Sequence, residues 1–157
     1  MGFVTSQAPT LAPSLRDAPA PVLDLRRFGP IRASFCRDSD GFLWESLDLV
    51  HTQRGLADLA FEAGAWGPTA AHEQQLDTIT ANLDVLTESA AQAIAGALGG
   101  AFEHCLRDPW RGLEWQGARL TGRDGTFQLH YWWTSGTESL VTVSFEQSRP
   151  TSAHLNE

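Results

Sequence analysis

Between Thr69 and Leu98, apolar residues recur at Leu76, Ile79, Leu83, Leu86, Ala90, Ile94 and Leu98, in steps of three and four. That is the 3.6-residue period of an α-helix. It predicts one long helix that starts at a Thr69 cap and stops at Gly99-Gly100. Thr87 can itself cap a helix, so a break near Thr87-Glu88-Ser89 stays open. Elsewhere the pattern changes to a period of two. Phe127, Leu129, Tyr131 and Trp133 alternate with polar or outward positions, and so do Val141, Val143 and Phe145. Such alternation marks strands with one face on a core.

Turn residues divide these runs. Ile31–Cys36 and Phe42–Val50 flank the polar cluster Arg37-Asp38-Ser39-Asp40-Gly41, which predicts a β-hairpin. In Leu56–Phe61, Ala57, Leu59 and Phe61 alternate with polar neighbours, although leucine and alanine also suit a helix; the alternation favours a strand. Ala63-Gly64-Ala65-Trp66-Gly67-Pro68 then interrupts regular structure, and Phe102–Trp110 reads as a short helical continuation and loop. Strands Ala118–Thr121, Thr126–Trp133 and Ser139–Glu146, joined by Gly-containing turns, form a three-stranded meander. The fold class is therefore α+β: a mostly antiparallel sheet of five or six strands packed against one long helix. Residues 1–21, rich in Pro and Ala, read as a flexible arm; 22–147 read as a single domain, and 148–157 as a loose C-terminal tail.

Charge adds something the pattern does not show. The stretch from Gly55 to Leu106 carries seven acidic residues and no arginine or lysine, while the rest of the chain is nearly neutral. On a helical wheel, Glu73, Asp77, Asp84 and Glu88 fall within roughly 60° of one another, along about 22 Å of helix. Their line lies about 120° from the apolar stripe and faces solvent. Two readings follow: a docking surface for a basic protein or peptide, or a solvated face that keeps the protein soluble. Four acids in one line on one helix cannot surround a metal ion. A net charge of −8 also argues against nucleic acid and anionic membrane surfaces as partners.

All eleven basic residues are arginine, which together with the alanine content suggests a GC-rich bacterial coding sequence. Cys36 and Cys105 belong to no spacing motif and read as reduced thiols. The N-terminus has no basic region followed by an apolar run, and no segment approaches the length of a membrane span, so a cytoplasmic location is expected. Six tryptophans is a high count for this length. Most read as packing residues; Trp66, in a Gly/Pro loop, and Trp132, opposite in facing to Trp133, are the candidate interface anchors. The histidines (His51, His72, His104, His130 and His154) form no ligand spacing, and no nucleophile elbow or phosphate-binding loop is present. No catalytic residue, metal or cofactor is expected.

Phe28-Gly29 at the head of the first hairpin, Trp44 within it, the helix leucines with Asn82, and Gly125-Thr126-Phe127-Gln128-Leu129 carry a resemblance. Over about residues 28–146 the layout resembles bacterial domains of unknown function that combine a hairpin, a long helix and a three-stranded meander. Trp44-Glu45-Ser46 departs from the Trp-x-Gly of such domains, and Thr137-Glu138-Ser139 replaces a histidine that precedes their last strand. Some of these domains look like immunity proteins, encoded beside secreted toxins. The resemblance thus implies a non-catalytic protein that neutralises a basic partner through the helix face bearing Glu73, Asp77, Asp84 and Glu88. The alternative is a small-molecule or peptide sensor with a tryptophan-lined pocket between helix and sheet.

Overall fold

The computed structural model describes residues 21–35, 41–99, 112–133 and 139–156. Strands β1 (Val22–Leu25), β2 (Gly29–Phe35), β3 (Phe42–Ser46), β4 (Val50–Thr52) and β5 (Gly55–Ala63) come first. Helices α1 (Ala70–Ala81) and α2 (Leu83–Leu98) follow, then β6 (Leu113–Leu120), β7 (Phe127–Trp133), β8 (Ser139–Glu146) and β9 (Arg149–Asn156). The strands form one sheet in the order β1-β2-β3-β5-β6-β7-β8-β9, with β4 also on β5. Every pairing is antiparallel except that of β5 with β6. That one is parallel because the helices carry the chain from the end of β5 back to the start of β6.

The α+β class and the mostly antiparallel sheet agree with the sequence pattern, as do the β2–β3 hairpin, strand β5 and the β6–β8 meander. Four expectations change. The described residues form nine strands instead of five or six. The run Phe42–Val50 is not one strand: between the Glu45–Ala60 and Val50–Ala57 pairs, five residue steps face three. The two extra residues make a wide bulge at Leu47-Asp48-Leu49. There the Ser46 hydroxyl accepts the Leu59 N–H (3.0 Å).

The third change is at the C-terminus, where a loose tail was expected and β9 completes the sheet. Its connection to β8 is the two-residue turn Gln147-Ser148, both with positive φ (51° and 60°). A turn of this hand usually calls for Asn or Gly. Here the neighbouring β6–β7 turn braces it: the Gly125 carbonyl accepts the Ser148 N–H at 3.0 Å. Gly125 has φ +72°, and a Cβ on it would stand 2.9 Å from the Cα of Gln147.

The fourth change divides the helix. The break falls at Asn82 (φ −113°, ψ 17°), not near Thr87. The Asn82 side-chain amide donates to the Thr78 carbonyl (2.8 Å), which its own backbone N–H also reaches. This local competition with the helix ladder is characteristic of asparagine. Thr87 is instead buried, with its hydroxyl 3.0 Å from that of Tyr131. The apolar stripe stays in phase across the break, from Leu76 and Ile79 to Leu83, Leu86, Ala90 and Ile94, all buried. Ala90 and Ala91 lack bulk, so α2 lies close along β9.

The core between helices and sheet is built on Trp44, Phe61, Tyr131 and Phe145, none more than 1% exposed. Full burial of each such side chain contributes about 1.5–3 kcal/mol. Pro21, the last residue of the expected arm, accepts the Ala33 N–H at 3.0 Å. The rest of the arm, the turn 37–40, the segment Phe102–Trp110, the turn 134–137, Cys36, Cys105 and His104 lie outside the described residues.

Candidate functional site

Glu73, Asp77, Asp84 and Glu88 stand on the outer flank of α1 and α2, and the break at Asn82 divides them into two pairs. The helices supply no cation, but the turns of the sheet do. Arg27, in the β1–β2 turn, binds the Asp77 carboxylate with two nitrogens, donates to the Glu73 carbonyl (3.4 Å) and lies 3.9 Å from the Glu73 carboxylate. Its guanidinium also sits over the Phe28 ring, 5.6 Å from the centroid. Arg54, in the β4–β5 turn, pairs with Asp84 at 2.6 Å. Three of the four acids thus hold turns of the sheet to the helices, and Glu88 alone makes no ion pair with a described residue. Asp77 and Asp84 nevertheless remain 57% and 69% exposed.

Trp66 is the most exposed large apolar side chain among the described residues (67%). Its turn is fixed by a hydrogen bond from the Gly67 N–H to the Gly64 carbonyl (3.1 Å). Gly67 packs under the turn, where a Cβ would meet Leu23 at 3.1 Å. Beside it an open groove of roughly 500 Å³ runs between Arg26, Arg27 and Phe28 on one side and Pro68 and Glu73 on the other. A second groove of roughly 310 Å³ continues past Arg27 and Asp77 towards Thr52 and Gln53. Neither lining includes a tryptophan, nor does that of a third groove beside Gln74 and Thr78. The tryptophan-lined pocket expected of a sensor is not among them.

Under α1, buried polar groups are tightly matched. The Gln75 amide donates to the carbonyls of Arg123 (2.6 Å) and Thr126 (2.9 Å), and its oxygen accepts the N–H groups of Thr121 and Gly122 (both 3.0 Å). It thereby fixes the β6–β7 turn. His72, three residues into the helix, accepts the Thr69 N–H on Nδ1 (3.0 Å), so the proton lies on Nε2 and is donated to the Glu62 carbonyl (2.8 Å). The ring thus takes the place of the Glu or Gln of a capping box. Burial pushes the Tyr131 phenol above its ordinary titration range despite its hydrogen bond to Thr87. Trp115 Nε1 is buried without a partner among the described residues, while Trp44 Nε1 donates to the Gly64 carbonyl (2.9 Å).

Among the described residues the opposite face of the sheet carries no helix. On it, His130 Nδ1 lies 2.9 Å from the Thr142 hydroxyl, which also accepts the Asn156 amide (2.6 Å). The Thr142 hydroxyl, with one donor and two acceptor positions, thus joins His130 to Asn156, and the direction of its bond to Nδ1 follows the imidazole tautomer. Burial holds the His130 pKa below the ordinary 6.5; Asp58 opposes that shift, and Arg119 and His154 add to it. Asp58 and His130 both pair across the sheet with Gly117, on either side of it. Trp132, half-buried, sits between Glu114 and Leu140. Further along, Arg119 donates to the Glu62 carboxylate at 3.0 Å.

The described residues contain no cluster of three or more His, Cys, Asp or Glu able to hold a metal ion. None of their helices is long and apolar enough to cross a membrane. The chain matches no protein-family model, no curated protein and no solved structure.

Of the candidate residues, Glu73, Asp77 and Trp66 belong to one end of the helix layer, Asp84 and Glu88 to the other, and Trp132 to the far side of the sheet. Sequence reasoning missed Arg27 and Arg54, because pairs 50 and 30 residues apart leave no local signal. It also missed the His130–Thr142–Asn156 chain, whose last member lies in the expected tail.

Proposed function

We propose that this chain is a non-catalytic binding protein of the toxin-immunity type, which neutralises a basic partner by occluding its active surface. The partner docks on the outer flank of α1 and α2, with Trp66 as the anchor. The observation that carries this reading is Trp66 itself, 67% exposed on a turn that cannot yield easily. A tryptophan has only two side-chain torsions, so it loses little conformational freedom on binding and offers a large apolar surface. The acids beside it supply attraction. Glu88 is available directly, and exposed pairs such as Arg54–Asp84 are weak enough for a partner's arginine to exchange with the internal one.

The test is affinity capture from the native host at low and high salt, with the intact chain as bait. A basic protein should be retained at low salt and released at high salt. Trp66→Ala should weaken its capture at least tenfold, and neutralising Glu73, Asp77, Asp84 and Glu88 together should slow association. Capture that survives both changes would sink the reading.

A further inference from the structure

The face of the sheet opposite α1 and α2 is not uniform. At one end Arg32 on β2 stands opposite Glu45 on β3, and Arg119 is bonded to Glu62. Opposite charges placed in this way give an ordinary solvated sheet surface. The region around Trp132 differs. Leu140 is its direct neighbour on β8, and two strands to the other side, about 10 Å away, Leu56 is half exposed (50%).

The charges in this band are all of one sign among the described residues. Glu114, opposite Trp132, and Asp58, two residues beyond Leu56 on β5, are both exposed. None of the four ion pairs among the described residues reaches either of them. Asp58 has one hydrogen-bond partner there, the Ser46 hydroxyl (3.3 Å). The His130 imidazole that faces Asp58 across Gly117 is bonded to the Thr142 hydroxyl, and burial holds its pKa below the ordinary 6.5, so at neutral pH it brings no positive charge. The other groups facing His130 are Arg119, committed to Glu62, and His154.

We propose that this band is a docking surface for a basic amphipathic segment of another protein. The segment lays apolar side chains on Leu56, Trp132 and Leu140 and brings arginine or lysine to Asp58 and Glu114. An acidic or purely apolar partner would leave the two carboxylates uncompensated as water is excluded, which is costly. This surface lies on the side of the sheet away from Trp66 and the helix flank, so it stands or falls separately from that site.

The probe is a fluorescently labelled peptide of alternating leucine and arginine, titrated against the intact chain by anisotropy, with a leucine–glutamate peptide as its control. The arginine peptide should bind at least tenfold more tightly than the glutamate peptide. Trp132→Ala should weaken it by about tenfold, and Leu56→Ser, which alters only a half-exposed side chain, should also weaken it severalfold. Asp58→Asn with Glu114→Gln should remove most of its salt dependence. Neutralising Glu73, Asp77, Asp84 and Glu88 should leave binding within about twofold. Equal binding of both peptides, or full affinity in both the Trp132→Ala and Leu56→Ser proteins, would overturn the proposal. So would a dimer in sedimentation that Trp132→Ala dissociates, since a second copy would then cover the face.

Discussion

Gln75, on the buried side of α1, uses all four hydrogen-bonding positions of its amide, whereas Asp58, on the other side of the same sheet, meets the Ser46 hydroxyl and forms no ion pair with a described residue. The contrast extends across both faces. On the covered side Thr80, Thr87 and His72 are bonded as well, and the acids above them are tied to Arg27 and Arg54. On the open side an exposed leucine, a half-buried tryptophan and two carboxylates without described cations lie together. A buried polar group without a partner costs about 1–3 kcal/mol, which favours saturation on the covered face, where Trp115 Nε1 is the exception among the described residues. Water relaxes that requirement on the open face, and groups left over there are free to meet a partner. The acid-rich helix, the clearest charge anomaly of the sequence, therefore serves stability at three of its four carboxylates.

The strongest way to break this comparison is Gln75→Leu. It strands the N–H groups of Thr121 and Gly122 and the carbonyls of Arg123 and Thr126, so it should cost about 3 kcal/mol or more in urea unfolding. A loss below about 1 kcal/mol would mean that the turn is held by something other than this side chain. A smaller effect concerns His130. Its folded pKa is lowered, so its contribution to stability is intact above the ordinary 6.5 and is lost as pH falls. The unfolded chain takes up the proton that the folded chain resists. His130→Gln, which can still accept from Thr142, should flatten the decline in stability between about pH 7 and pH 5. Parallel pH curves for the two proteins would assign that decline to other groups. The smallest effect belongs to the flank. A double-mutant cycle on Arg54 and Asp84, 33% and 69% exposed, should give a coupling below about 1 kcal/mol that shrinks further in high salt. A coupling of several kcal/mol, insensitive to salt, would show that the flank is as tightly built as the core beneath it.

Much of the fold could be read along the chain. The steps between Leu76 and Ile94 specify helix, and the alternation in Phe127–Trp133 and Val141–Phe145 specifies strands whose core-facing sides the structure bears out. What escaped has local and physical causes. Asn82 interrupts the helix with a side-chain bond to Thr78 that competes with the ladder, and asparagine within an apolar stripe gives only a weak signal of that. Gln147-Ser148 makes a left-handed turn without the usual residues, because Gly125 reaches it from another hairpin. Strand β9, and with it Asn156 of the His130 network, went unread for that reason. The exposure of Trp66 and the place of Trp132 on the face opposite Trp133 were both legible, since a Gly/Pro loop and strand alternation are local properties.

By itself the sequence determined the class of each main element and which side of it faces the core, because apolar periodicity acts between near neighbours on the chain. It also placed the four helix acids on one solvent-facing line. Only the tertiary structure decided what those acids do, since their partners Arg27 and Arg54 arrive from turns that are distant in sequence and close in space. The same holds for the open face. Leu56, Asp58, Glu114, Trp132 and Leu140 come from four strands, and they become one surface only when the helices set β5 and β6 side by side.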